Sequence, residues 1–142
     1  MSPFDSEVIE RKNLSLKGYL QDLEAIKDIS LENYQADIFR KRGIEKTLIN
    51  LIQCAIDINN YILAKIFKIA PADNYDSFIK LGENKIIPPD FALKIAPSTG
   101  LRSRLIHEYN KIDDRIVHAS IKDALKQFPR YIEYIQKFLQ CR

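Results

Sequence analysis

Apolar residues recur along this chain at spacings of three and four, and strict alternation is nearly absent. The pattern predicts helices throughout and no sheet. Ser6 is placed to cap a first helix in which Ile9, Leu16 and Leu23 repeat every seven positions, with Leu20 and Ile26 widening the stripe. A short connection over residues 29–34 follows. The next helix carries the strongest pattern: Ile44, Leu48, Leu51, Ala55, Ile58, Ile62 and Ile66 step by threes and fours. Ile49, Ile52, Ile56 and Leu63 add a second stripe, which predicts enclosure by neighbours on several sides. A narrow polar line remains, formed by Lys46, Asn50, Gln53, Asp57 and Asn60. It faces either solvent, or a subunit contact or site.

Pro71 is expected to end that helix, because proline cannot continue it without losing a hydrogen bond. A small helix over residues 75–81 is stopped by Gly82, and Pro88-Pro89-Asp90 opens another. Pro97 and Gly100 are placed to kink or interrupt it just before a pair of arginines. Finally, Val117, Ile121, Ala124, Phe128, Tyr131, Ile135 and Phe138 keep helical phase across Pro129, which predicts a kink rather than a stop. The sum is an all-α bundle of four long helices plus short extra helices. No internal repeat, low-complexity tract or linker divides it, so residues 1–142 read as a single domain.

Composition changes this picture little. Hydrophobic residues make up 46% and charged residues 29%, as in ordinary globular proteins. A net charge of +3 permits a polyanionic partner without demanding one. Cys54 sits in an apolar helical run and reads as a small core residue. The opening "MSPFDSEVIERKNL" has no continuous apolar segment, and Cys54 and Cys141 lie 87 positions apart. Both features fit reduced thiols in a cytoplasm. No uncharged apolar run approaches the length of a membrane span.

Most catalytic chemistries lack their residues here. There is no Gly-rich phosphate cradle, and no Ser or Cys stands in a recognisable nucleophile motif. His107 and His118 lie eleven positions apart with no cysteine near either, which is no zinc pattern. Asp113 and Asp114, directly after a loop, read as helix-capping groups rather than metal ligands. What remains is the stretch "GLRSRLIHEYNKID", with Arg102, Arg104, His107 and Tyr109, where Leu101, Leu105 and Ile106 are available to anchor one side. Histidine exchanges protons near neutrality, and arginine offers a planar fork suited to phosphate. RNA cleavage needs little more, since the 2′-hydroxyl supplies the nucleophile. A spacing of five puts Arg102 and His107 about 140° apart on an ideal helix. They converge only if the helix ends between them or a second copy completes the site. On the residues alone, an exposed helix end and a catalytic site both stand.

The motif Arg102, "SRLI", His107, Glu108, Tyr109 resembles that of the HEPN superfamily, and more closely its HepT-like branch of small toxins. That branch has Arg, four residues, His, one residue, Tyr. The wider stretch is similar to the branch's Arg-Asn-Arg-Leu-Val-His-Asp-Tyr followed by Ile-Asp. Ser103 departs from the common Asn, and Ile106 and Glu108 are mild changes. "IEKTLINLIQCAIDINNYILAKIF" resembles the family's long helix, "FALKIAPSTG" occupies the lead-in to the motif, and the likeness runs over about residues 39–139.

The resemblance implies a single HEPN domain, homodimeric, whose two motifs face a shared cleft and cleave RNA without metal or cofactor. Arg102 and His107 would be catalytic, with Arg104, Ser103 and Tyr109 supporting the site or binding RNA. An MntA-type nucleotidyltransferase antitoxin would silence the toxin by transferring AMP to Tyr109. The competing readings are a non-catalytic HEPN module that binds a nucleotidyltransferase or RNA, and a helical scaffold with an exposed basic end.

Overall fold

A computed structural model describes residues 3–142, and every regular element among them is helical. Three helices are long: α1 (Ser6–Ala25), α3 (Ile38–Ile62) and α7 (Asp114–Gln140). Shorter ones are α2 (Leu31–Ala36), α4 (Asn74–Glu83), α5 (Pro89–Ile95) and α6 (Ser98–His107). Helix α1 packs on both α3 and α7, while α4 and α6 lie against α3 and α5 against α4.

The apolar phases place the core as expected. Ile9, Leu16, Leu20 and Leu23 of α1 are buried, as are Ile44, Leu48, Leu51, Ala55, Ile58 and Ile62 of α3. The second stripe of α3 is buried at Ile52, Ile56 and Leu63 and half-buried at Ile49, so neighbours do enclose this helix on several sides. Helix α7 continues through Pro129 without a stop, with Phe128 and Tyr131 buried on either side of it. Three buried polar groups cross-link the bundle. The Tyr131 hydroxyl donates to Asn59, whose Nδ2 donates to Ser77 Oγ at 3.1 Å, joining α7, α3 and α4. Burial holds the Tyr131 phenol well above its ordinary pKa.

The helix boundaries depart from expectation in five places. Asp5, not Ser6, caps α1, its carboxylate accepting from Glu7 N at 3.0 Å. Residues 31–36 form a helix rather than a plain connection, capped by Ser30 and anchored by the fully buried Tyr34. Helix α3 runs on as a π-turn over Leu63–Phe67 and stops at Lys68 in the left-handed conformation, so Pro71 is not what ends it. Gly82 lies inside α4 rather than past its end. A Cβ there would sit 2.9 Å from Ala92 Cβ and 3.2 Å from Pro89 Cα, so glycine lets α5 close onto α4. Pro97 separates α5 from α6 as expected, but Gly100 lies within α6 and breaks nothing.

The polar line on α3 is mostly half-buried rather than simply solvated. Asp57 accepts from Gln53 Nε2 at 2.7 Å and from Lys12 Nζ at 3.5 Å, so part of the line faces α1. Cys54 is buried beside it, its Sγ donating to the Lys12 carbonyl at 3.2 Å, and burial pushes its thiol pKa up. No helix among the described residues is long and apolar enough to cross a membrane.

Candidate active site

Helix α6 carries Arg102, Ser103, Arg104 and, as its last residue, His107. Its hold on the bundle is Leu105, 3% exposed, helped by the half-buried Leu101 and by Thr99, whose hydroxyl donates to the Ala96 carbonyl at 2.8 Å. Ile106, expected on the anchoring side, is exposed instead. The helix is unbroken from Arg102 to His107, which removes one of the two routes by which these side chains were expected to meet. Within one chain they leave the helix about 140° apart.

Arg102 is half-buried, and its Nε lies beneath the surface with no hydrogen-bond partner. A buried donor left unpaired is costly, and a charged one more so, which favours an anion arriving beside it. Ser103, Arg104 and His107 are exposed, and no hydrogen bond or ion pair among the described residues occupies their side chains. Arg102, Arg104 and His107 are therefore without a hydrogen bond or salt bridge among the described residues.

The chain leaves the helix at Glu108, whose N–H still reaches the Arg104 carbonyl at 2.7 Å. Tyr109 follows in the loop before α7, outside the helix and 45% exposed. Ile112 is buried and pins the loop, and Asp113 caps α7 by accepting from Arg115 N at 2.9 Å. The Arg115 guanidinium also grips that carboxylate, 2.8 Å from Nη2 to Oδ2. Side-chain and backbone bonds from Arg115, with a smaller pull from Arg104, hold Asp113 below its ordinary pKa. Asp114 pairs with Lys41 Nζ at 2.8 Å. Asp113 thus caps the helix as expected, whereas Asp114 lies within its first turn and is an ion-pair partner rather than a cap. His118 is likewise structural, its Nε2 2.6 Å from the Ile29 carbonyl.

The start of α3 reaches this loop, which the sequence did not reveal. The Arg42 guanidinium carbon lies 4.9 Å from the centroid of the Tyr109 ring. One turn further on, Glu45 is buried among Tyr34, Lys41, Arg42 and Asp114, and burial raises its carboxyl above the ordinary value against the pull of Lys41 and Arg42. Tyr34, also buried and with its hydroxyl unpaired, is raised by the same burial and by Glu45 and Asp114. A signal for this corner exists in "IFRKRG". Arg40, Lys41 and Arg42 crowd the N-terminal end of α3 with no acidic residue in its first turn, against the helix dipole. Cations placed there serve something other than the helix.

With this geometry in view, comparison with known proteins is informative. The family described as "Ribonuclease HepT-like" matches residues 16–135. A tRNA nuclease HepT of Aphanizomenon flos-aquae is 39% identical over 140 residues, covering 98% of this chain and 95% of that protein. An mRNA nuclease HepT of Shewanella oneidensis is 27% identical over 95 residues, 65% of this chain and 71% of the relative. Among solved structures, a tri-AMPylated Shewanella oneidensis HEPN toxin in complex with MNT antitoxin superposes with a TM-score of 0.82 at 22% identity. That superposition covers 92% of this chain and 97% of that one. A toxin–antitoxin crystal structure with AMP-PNP gives 0.84 at 21% identity, over 92% and 98%.

Proposed function

The chain belongs to the HepT-like ribonuclease family, and on that premise we propose that it is the toxin of a toxin–antitoxin pair, a metal-independent endoribonuclease working as a cytoplasmic homodimer. The observation that carries the reading is Arg102. Its Nε is buried and unpaired while the motif's other charged groups stand unspent around it. A scissile phosphate supplies the anion this guanidinium lacks, and charge that builds on the phosphorus in the transition state strengthens the pairing.

His107 moves the proton. As general base it takes the 2′-hydroxyl proton, and the 2′-oxygen attacks the adjacent phosphorus. The bond from phosphorus to the 5′-oxygen then breaks as that oxygen takes up the proton held by the imidazolium, leaving a 2′,3′-cyclic phosphate and a 5′-hydroxyl. Arg104 on the exposed face holds RNA backbone as a positive charge, with Ser103 beside it in support. Because Arg102 and His107 diverge on one straight helix, the reacting phosphate lies between two copies of the motif in a shared cleft. Tyr109, exposed beyond the helix end, is the acceptor of AMP from an MntA-type nucleotidyltransferase antitoxin, and the added anion blocks the arginines. No cofactor takes part.

One observation favours a non-catalytic binding module instead: no side chain among the described residues is hydrogen-bonded or ion-paired to His107. Cleavage of total tRNA by the purified chain in excess EDTA separates the two. Cyclic phosphate ends are expected. Intact RNA at protein concentrations that bind it leaves only the module.

A further inference from the structure

Two consecutive residues of α3 hold opposite ends of the motif loop. Lys41 Nζ pairs with Asp114 Oδ1 at 2.8 Å, where the loop enters α7. Arg42 lies over the ring of Tyr109, where the loop leaves α6. Both anchors sit within the first turn and a half of a 25-residue helix that is buried a little further on, at Ile44 and Glu45. The platform beneath the loop is therefore stiff, although the loop itself is not helical.

Nothing else among the described residues orients Tyr109. Its ring makes no other aromatic contact, and its hydroxyl makes no hydrogen bond. A hydrogen bond to the hydroxyl would have held the side chain at the expense of its nucleophilic oxygen. A cation over the ring face restrains the ring by its quadrupole and leaves the oxygen at the ring edge uncovered. Arg42 itself is exposed and, among the described residues, forms no salt bridge, its charge acting on Glu45 only at longer range.

We propose that Arg42 is a positioning residue that presents Tyr109 to the nucleotidyltransferase. The inference rests on the reading of Tyr109 as AMP acceptor. In that transfer the phenolic oxygen attacks the α-phosphorus of ATP, and the bond from that phosphorus to the bridging oxygen breaks. Pyrophosphate leaves with the bonding pair, and the phenolic proton passes to a base of the transferase. Arg42 touches none of these atoms. It raises the fraction of docked complexes in which the ring already points outward.

The test measures initial rates of AMP addition by intact-protein mass, using ATP and a purified MntA-type nucleotidyltransferase. The substrates are the full-length wild type, Arg42→Ala, Arg42→Lys and Arg42→Gln, each checked by its melting curve. Loss of the ring contact is expected to lower kcat about two- to fivefold in Ala and Gln, with KM for the toxin unchanged, since docking does not involve the contact. Lysine keeps a cation over the ring and is expected to restore most of the rate. A simple packing role would instead be rescued by Gln as well as by Lys. Wild-type kcat in Arg42→Ala, a change confined to KM, or equal rescue by Gln overturns the proposal. If the wild type takes up AMP elsewhere than Tyr109, the acceptor reading itself fails, and this inference with it.

Discussion

Arg102 and His107 stand five positions apart on one unbroken helix, and their side chains leave it about 140° apart. Side chains that diverge in this way do not both point at one phosphate beside a single helix. In the proposed homodimer a second α6 brings its own pair across a cleft. Sharing of residues between copies has a direct consequence for mixed dimers. Neither Arg102→Ala nor His107→Ala has an intact site alone, yet a mixed dimer has one site with both groups. Subunit exchange between the two inactive variants is expected to restore about a quarter of wild-type RNA cleavage. Light scattering should give twice the 16.5 kDa of the chain. No recovery on mixing, with exchange verified by differently tagged copies, means that each site is built from one chain.

The chemistry itself makes a second prediction. Loss of the proton-transfer group in His107→Ala should cost at least ~100-fold in cleavage rate. Arg102→Lys should also fail badly, because lysine keeps the charge but loses the fork that grips a phosphate in two places. Excess EDTA should leave the rate unchanged. Wild-type rates in His107→Ala, measured at equal protein and RNA, would end the proton-transfer role whatever the fold.

Much of this was readable from residues alone, and the limits have physical causes. Burial repeats along a helix, so the stripes of α1, α3 and α7 and the passage through Pro129 could be read from spacing. Helix α2 could not, because six residues with one buried anchor, Tyr34, are too short to show a period. Asp5 and Ser6 are adjacent residues of equal capping preference, and pattern does not choose between them. The motif was legible as a set of residue types, but spacing alone did not show that α6 ends at His107 and leaves the exposed Tyr109 outside the helix. The contact of Arg42 with Tyr109 spans 67 positions and leaves no periodic trace. Only the cations at the wrong end of α3 pointed towards it.

Glu45 supplies a prediction about stability. Its carboxyl is buried and titrates above the ordinary value, with burial outweighing Lys41 and Arg42. A carboxyl raised in the folded state contributes its full stability only when protonated in both states. That contribution is lost as pH rises through the folded value. Glu45→Gln keeps the shape and removes the cost of ionisation. It should raise Tm at pH 7, and the gain should shrink towards zero below the ordinary glutamate range. A Tm lowered at neutral pH would mean that the pull of Lys41 and Arg42 outweighs burial after all.

Tyr109 carries the last prediction. The residue sits past the end of α6 in the loop held by Ile112 and Asp113, with nearly half its surface open and its hydroxyl unbonded. A second enzyme can reach that oxygen without unfolding any helix. Attaching AMP there places a bulky anion in the same segment as Arg102 and Arg104, where it can pair with the forks proposed to hold RNA phosphate. Charge and volume then act in the same direction, and the site closes. Co-expression with an MntA-type nucleotidyltransferase should add one AMP mass or a small multiple, located on Tyr109 by peptide mass spectrometry, and should abolish toxicity. Tyr109→Phe keeps the ring beneath Arg42 and lacks only the accepting oxygen. It should fold, cut RNA and stay toxic in the presence of an active transferase. A Tyr109→Phe chain that is still neutralised by transferase activity would place the switch on another residue, and RNA cleavage by the Arg102 and His107 pair would have to be regulated from there.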